Sequence, residues 1–277
     1  MKQCLFSISP TNNEATLTGY LWEKSDQLND SGESWQPKKR PAVIICPGGA
    51  YRFLSDREAE PVAMKFYSEG FQVFILRYSL LEECAYPTPL EEASRAIWTV
   101  RSNSEEWNID PDKIIIGGFS AGGHFSALIG TRWNEPGLAA RLGIPEGGNK
   151  PNGLILCYGK LEPVIESIGE QISPEDVGHI LRVYDERADT IKNVSKDTPP
   201  SFIWHTRSDS LVLADESMRF ASNCFKENVP FELHVYSEGV HGLSLGTDMS
   251  DYRLLHPVNV CSWISLCIDW FKYIFDY

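Results

Sequence analysis

Apolar runs of strand length, separated by helix-like stretches, set the strongest constraint on what this 277-residue chain can fold into. The runs are Ala42–Cys46, Gln72–Leu76, Lys113–Gly117, Gly153–Cys157, Ser201–His205 and Phe231–Tyr236. Several are continuously apolar and rich in Ile and Val, the pattern of parallel strands covered on both faces. Helical patterns fall between them, at Glu58–Glu69, Leu90–Ser104, Gly122–Thr131, Asp215–Asn228 and Pro257–Phe275. In the last, Val260, Ile264, Cys267, Phe271 and Ile274 recur at spacings of three and four and mark one helix face. Alternating strands and helices predict an α/β chain, with a mostly parallel sheet, right-handed crossovers and helices on both faces.

Two stretches interrupt this rhythm. Residues 20–40 are polar and rich in turn formers, and read as a long turn after two N-terminal strands. Residues 159–200 are polar, partly helical and end in DTPP; a long excursion between buried strands is usually functional. A small cap over a site is expected there, with a surface loop as the alternative. Length alone leaves one or two domains open.

Composition narrows the partners. Hydrophobic residues at 42% and charged residues at 23% describe a globular protein. Aspartate and glutamate number 38 against 25 lysines and arginines, and the net charge of −13 argues against nucleic acid. It argues more weakly against anionic substrates and membranes. The seven cysteines are scattered and never spaced as CxxC, as in a reducing compartment without disulfides or a zinc site. The N-terminal stretch lacks a signal-peptide pattern, and Val258–Phe275 is interrupted by Asn259, Asp269 and Lys272. A cytoplasmic protein is the expectation.

The chemistry concentrates in Gly118-Phe-Ser120-Ala-Gly122, directly after one apolar strand and directly before a helical stretch. A nucleophile elbow needs that context, because the serine sits on a tight turn that only small neighbours permit. The turn also aims the serine at a helix N-terminus, where free amides favour negative charge. A glycine-rich phosphate loop is the competing reading, but neither GxGxxG nor a P-loop lysine is present here. A serine needs a base, and the base needs a carboxylate to orient it. Asp209 follows the strand SFIWH, and His241 lies in a glycine-flanked loop after FELHVY. Catalytic groups of parallel sheets collect at those carboxyl ends. Asp215 is the rival acid, but it stands where a helix should begin and reads as a first-turn residue. Cys46-Pro-Gly48-Gly49-Ala50-Tyr51 follows another strand, and its glycine amides, with that of Ala121, are expected to form an oxyanion hole.

The chain resembles the α/β-hydrolase superfamily, within it the small esterase/lipase group of acetyl-xylan-esterase-like and related sugar-ester hydrolases. The resemblance rests on PGGAY (47–51), SDREAEPVA (55–63), LRYS (76–79), YPTPLEE (86–92), GGFSAGGH (117–124), DTPPSFIWHTRSD (197–209) and ELHVYSEGVHGLSLG (232–246). It implies a three-layer α/β-hydrolase fold over residues 1–277 as one domain, with 159–200 as a cap insertion. It also implies Ser120 as nucleophile, Asp209 and His241 as its partners, and Gly48, Gly49 and Ala121 as oxyanion donors. The chain departs from the lipase-type HGGG pattern, with proline at 47 and alanine at 50; a positive φ at Ala50 would be costly. His124 matches the family's GGH and is expected to be structural. Arg57 and Glu58 are expected as a surface ion pair, with reach into the pocket as the alternative, and Tyr51 and Tyr86 as pocket-lining residues.

The expected activity is serine-dependent cleavage of small carboxylic esters, notably acetyl or short-acyl esters of sugars or xylo-oligosaccharides. An arylformamidase or peptidase using the same triad is the nearest alternative, and a non-catalytic ligand-binding fold the more distant one. No metal or organic cofactor is implied. The expected partner is a small neutral ester, with no nucleic acid and no membrane; assembly as a homodimer is left open.

Overall fold

Every one of the six apolar runs becomes a strand in the computed structural model, which describes residues 1–9, 15–23, 38–162, 186–250 and 259–276. The strands are β1 (Lys2–Ser7), β2 (Thr16–Leu21), β3 (Arg40–Cys46), β4 (Gln72–Arg77), β5 (Ile109–Phe119), β6 (Gly153–Cys157), β7 (Ser201–Thr206) and β8 (Phe231–Tyr236). They form one sheet in the order β1-β2-β4-β3-β5-β6-β7-β8. The strands from β4 to β8 in that order pair in parallel, while β2 runs antiparallel to both β1 and β4.

Successive residues of a strand face opposite sides, and here both sides are apolar. Ile44, Phe74, Ile114, Ile116, Leu154 and Leu156 belong to one buried cluster. Their neighbours Val43, Ile45, Val73, Ile75, Ile115 and Ile155 belong to the other. Burying each such side chain contributes about 1.5–3 kcal/mol, so the double alternation strongly holds the register. The first cluster is covered by α2 (Thr88–Ser102), α3 (Ala121–Arg132) and α5 (Ala214–Lys226), through residues such as Ile97, Phe125 and Phe220. The second is covered by α1 (Glu60–Ser68) and α6 (Trp263–Ile274), through Phe66, Trp263 and Phe271. The expected three layers follow.

Some boundaries differ from the sequence reading for local reasons. A 3-10 turn occupies Asp56–Glu58, and Ala59 (φ −108°, ψ −104°) leaves the helical region, so α1 starts at Glu60 with Pro61 in its first turn. The short helix α4 (Leu138–Leu142) was not expected; Gly137 and Gly143, both left-handed, delimit it. The final helix begins with a 3-10 turn at Val260–Ser262, and Pro257 and Val258 lie outside the described residues. Of the expected cap, residues 163–185 also lie outside them, as do 24–37 of the long turn. The described part of the excursion contains a 3-10 turn, Glu186–Ala188, and a series of turns up to Pro200. At its start, buried Lys160 donates to Glu216 Oε1 at 2.7 Å and to the Glu162 carbonyl at 2.6 Å. No helix of the described residues is long and apolar enough to cross a membrane.

Candidate active site

The central strand β5 delivers Ser120 to the start of α3 in a conformation that side chains rarely adopt, φ 53° and ψ −115°. The turn is held from both sides: Ser120 N–H donates to the Cys157 carbonyl at 3.0 Å, and its own carbonyl accepts from the His124 and Lys160 amides. Gly122 is required because a Cβ there would lie 2.0 Å from the Cys46 carbonyl oxygen, so the elbow presses on the end of β3.

Two later loops meet the serine. Asp209 follows β7 in a tight turn, its N–H donating to the Thr206 carbonyl at 3.2 Å. Its Oδ1 accepts the N–H groups of Leu211 at 2.9 Å and Val212 at 3.0 Å, and its Oδ2 accepts His241 Nδ1–H at 2.7 Å. His241 Nε2, left as an acceptor, lies 2.8 Å from Ser120 Oγ. Burial alone would raise the Asp209 carboxyl. Hydrogen bonds from His205 and His241, the charge of His241 and the Val212 N–H outweigh it and hold Asp209 well below the ordinary carboxylate range. The carboxylate therefore stays ionised while the imidazole, 15% exposed, keeps an edge toward solvent.

Beside Ser120 and His241 lies a cavity of about 240 Å³, bounded also by Gly49, Phe53, Arg57 and Glu58. A wider hollow of about 500 Å³ around Trp133, Glu135 and Asn149 has no serine, cysteine or histidine in its wall. Among the described residues no group of three or more His, Cys, Asp and Glu is arranged to hold a metal ion.

The family model BD-FAE matches residues 33–151. The acetyl ester-xyloside bifunctional hydrolase of Caldicellulosiruptor lactoaceticus superposes with a TM-score of 0.73 at 31% identity, covering 98% of this chain and 96% of that one. The chain belongs to the α/β-hydrolase esterases. The endo-1,4-beta-xylanase B of Butyrivibrio fibrisolvens is 34% identical over 262 residues, 86% of this chain and 40% of the relative. The acetylxylan esterase of Xylanibacter ruminicola is 27% identical over 224 residues, 74% of this chain and 42% of the relative. This α/β hydrolase thus spans about two fifths of the length of these curated relatives.

The remaining expected residues of this α/β hydrolase divide sharply. Ala121 N–H, first in α3, has no intrahelical acceptor, and Gly49 borders the cavity. Gly48 does not serve as expected: its N–H donates to Glu58 Oε2 at 2.8 Å. The positive φ feared at Ala50 is present (54°), and Tyr51 shares it (58°). Tyr51 is a correction too, since it is buried and its hydroxyl bonds His124 Nδ1 at 2.8 Å instead of lining the cavity. Tyr86 is likewise engaged elsewhere, its hydroxyl donating to Glu135 with the Arg187 guanidinium over its ring at 4.3 Å. His124 is structural as expected: fully buried, with Nε2–H on the Ala188 carbonyl at 2.9 Å. Asp215 is an exposed first-turn residue of α5 bonded to Arg219.

The surface ion pair of Arg57 and Glu58 is overturned. Arg57 donates to the Gly242 and Ser250 carbonyls at 3.1 and 2.7 Å, while Glu58 is only 3% exposed. Sequence reasoning also missed His205, whose Nε2–H points to the Val212 carbonyl at 2.9 Å and to Asp209 Oδ2 at 3.3 Å. Its place at the end of β7, four residues before the acid, was the available signal.

Proposed function

We propose that this chain is a serine ester hydrolase in which Ser120, His241 and Asp209 carry acyl transfer. The observation behind this reading is the continuous hydrogen-bonded line Asp209–His241–Ser120, with distances of 2.7 and 2.8 Å, opening on a cavity. Ser120 Oγ attacks the ester carbonyl carbon while His241 Nε2 takes the hydroxyl proton. The N–H groups of Ala121 and Gly49 stabilise the oxyanion that forms. The intermediate collapses by breaking the ester C–O bond, and His241 returns its proton to the leaving alcohol. Water then attacks the acyl-enzyme with His241 again as base, releasing the acid and restoring Ser120. Asp209 keeps the imidazole in the tautomer that accepts at Nε2 and stabilises the imidazolium.

The substrate we assign is an acetyl or short-acyl ester of a sugar or xylo-oligosaccharide. A cavity of about 240 Å³ is below the usual range for drug-sized ligands and suits a small acyl group. The acetylxylan esterase among the relatives and the acetyl ester-xyloside hydrolase among the structures support a sugar ester. The seven cysteines, all free thiols, support a reducing, cytoplasmic setting. A single sheet that gathers strands from Lys2 to Tyr236 supports reading the chain as one domain.

A fluorophosphonate should label Ser120 and not the Ser120→Ala variant, which should be inactive on p-nitrophenyl acetate. An unchanged rate in Ser120→Ala would overturn the assignment. Turnover of p-nitrophenyl acetate, acetylated xylo-oligosaccharide and N-formylkynurenine then separates ester from formamide chemistry. Preference for the formamide would replace the sugar ester with an arylformamidase activity.

A further inference from the structure

Glu58 is a buried carboxylate that touches the cavity, and the mechanism above does not use it. Its two oxygens hold two different parts of the site. Oε2 accepts the Gly48 N–H at 2.8 Å, and Oε1 accepts the Tyr158 hydroxyl at 2.6 Å. The Tyr158 oxygen in turn accepts the N–H of Ser244 at 2.8 Å, three residues beyond His241. The Tyr158 ring meets the His241 ring edge-on, with centroids 5.1 Å apart.

The turn on the other side is held at successive peptides. The Pro47 carbonyl accepts the Tyr78 hydroxyl at 2.6 Å, so the Pro47–Gly48 peptide is bonded at its carbonyl by Tyr78 and at its N–H by Glu58. The Gly48 carbonyl accepts Ser55 N–H at 2.9 Å. In a trans peptide the carbonyl and N–H point opposite ways, so this bond turns the Gly49 N–H away from Ser55. A Cβ on Gly48 would stand 2.7 Å from Glu58 Oε2 and 3.1 Å from Ser120 Cβ, which puts the turn flush against the nucleophile.

We infer that Glu58 and Tyr158 are positioning residues that set the oxyanion turn and the His241 loop relative to each other. This rests on the serine-hydrolase reading and adds residues to it. Neither side chain takes part in bond making. Each acts through another group: Glu58 through the Gly48–Gly49 turn, Tyr158 through the Ser244 amide and the face of His241. Acylation and deacylation both pass through an oxyanion, so the effect falls on kcat whichever step limits the rate.

The test uses Glu58→Gln, Tyr158→Phe and the double variant on p-nitrophenyl acetate, with Ser120→Ala measured alongside. Losing one oxyanion donor costs about 10²–10³-fold in kcat; a displaced donor should cost less, about 10–100-fold, with KM within about twofold. Because the two residues act as one unit, the double variant should be no slower than the worse single one. Should Glu58→Gln fail to fold, Tyr158→Phe carries the same kcat and KM criterion alone. An inactive Ser120→Ala with both single variants at the parental kcat would overturn the bracket and leave the nucleophile assignment standing. Losses that multiply in the double variant, or that disappear when the assay is cooled, would also overturn it. An active Ser120→Ala would instead bring down the underlying mechanism.

Discussion

His241 and His124 each use both ring nitrogens, yet they differ in almost every property that decides chemistry. His241 faces a carboxylate on one side and a serine hydroxyl on the other, and keeps an edge to the cavity. His124 faces a phenol and a backbone carbonyl, and is fully buried. Burial is the main cause that lowers the His124 pKa to about 4, a charge on nearby Lys160 adding to it and the Ala188 carbonyl opposing it. His241 has the Asp209 carboxylate in hydrogen-bond contact to meet the imidazolium; His124 bonds Tyr51 and the Ala188 carbonyl, and the pull of nearby Asp189 is outweighed by burial and Lys160. The motif GGH put His124 nearer to Ser120 along the chain, but partner chemistry and access separate the roles.

The largest test of this contrast substitutes each histidine by glutamine. His241→Gln should lower kcat/KM by about 10⁴-fold or more, and His124→Gln by no more than about threefold at a temperature where it is folded. A comparable loss in both would erase the distinction. Next in size, Asp209→Asn should cost about 10³–10⁴-fold in kcat with little change in KM, because the amide would no longer favour the tautomer that accepts at Nε2. A steady-state assay at neutral pH checks it.

The smaller effects fall on stability. His124 has a folded pKa of about 4 against an ordinary value of 6.5, so the unfolded chain binds the extra proton between those values. Stability should therefore fall as pH drops from about 6.5 toward 4, by about 3 kcal/mol from this group alone. Urea titrations at several pH values should show the slope, and His124→Gln should flatten it. Smallest of all, Tyr51→Phe removes one buried hydrogen bond and should cost about 1 kcal/mol, a melting-temperature change of roughly 2–4 °C, with kcat unaltered.

Much of the fold was legible because its signals are local. Runs such as Val43–Ile45 and Ile114–Ile116 present apolar groups to both faces, which only a doubly covered sheet uses. Ser120, Asp209 and His241 were legible because each sits just past a strand end with turn residues around it. The partners of those groups were not legible. Glu58 meets Gly48 across ten residues and Tyr158 across a hundred, and only the folded sheet brings them together. Tyr51 was misread for the same reason: adjacency to PGGA in sequence says nothing about which side of the turn its ring takes. The helix α4 escaped because Leu138–Leu142 is too short to show a period.

The helix that follows Ser120 has a consequence for how such a site can diversify. Every residue from Ala121 to Thr131 is buried, so Ser120 opens an element with almost no freedom to vary. The wall facing it is different in kind: Phe53 is 60% exposed, and Leu211 lies half-buried at a bend. Descendants of this chain can reshape that wall by exchanging a few exposed residues, while inheriting the Ser120 elbow unaltered.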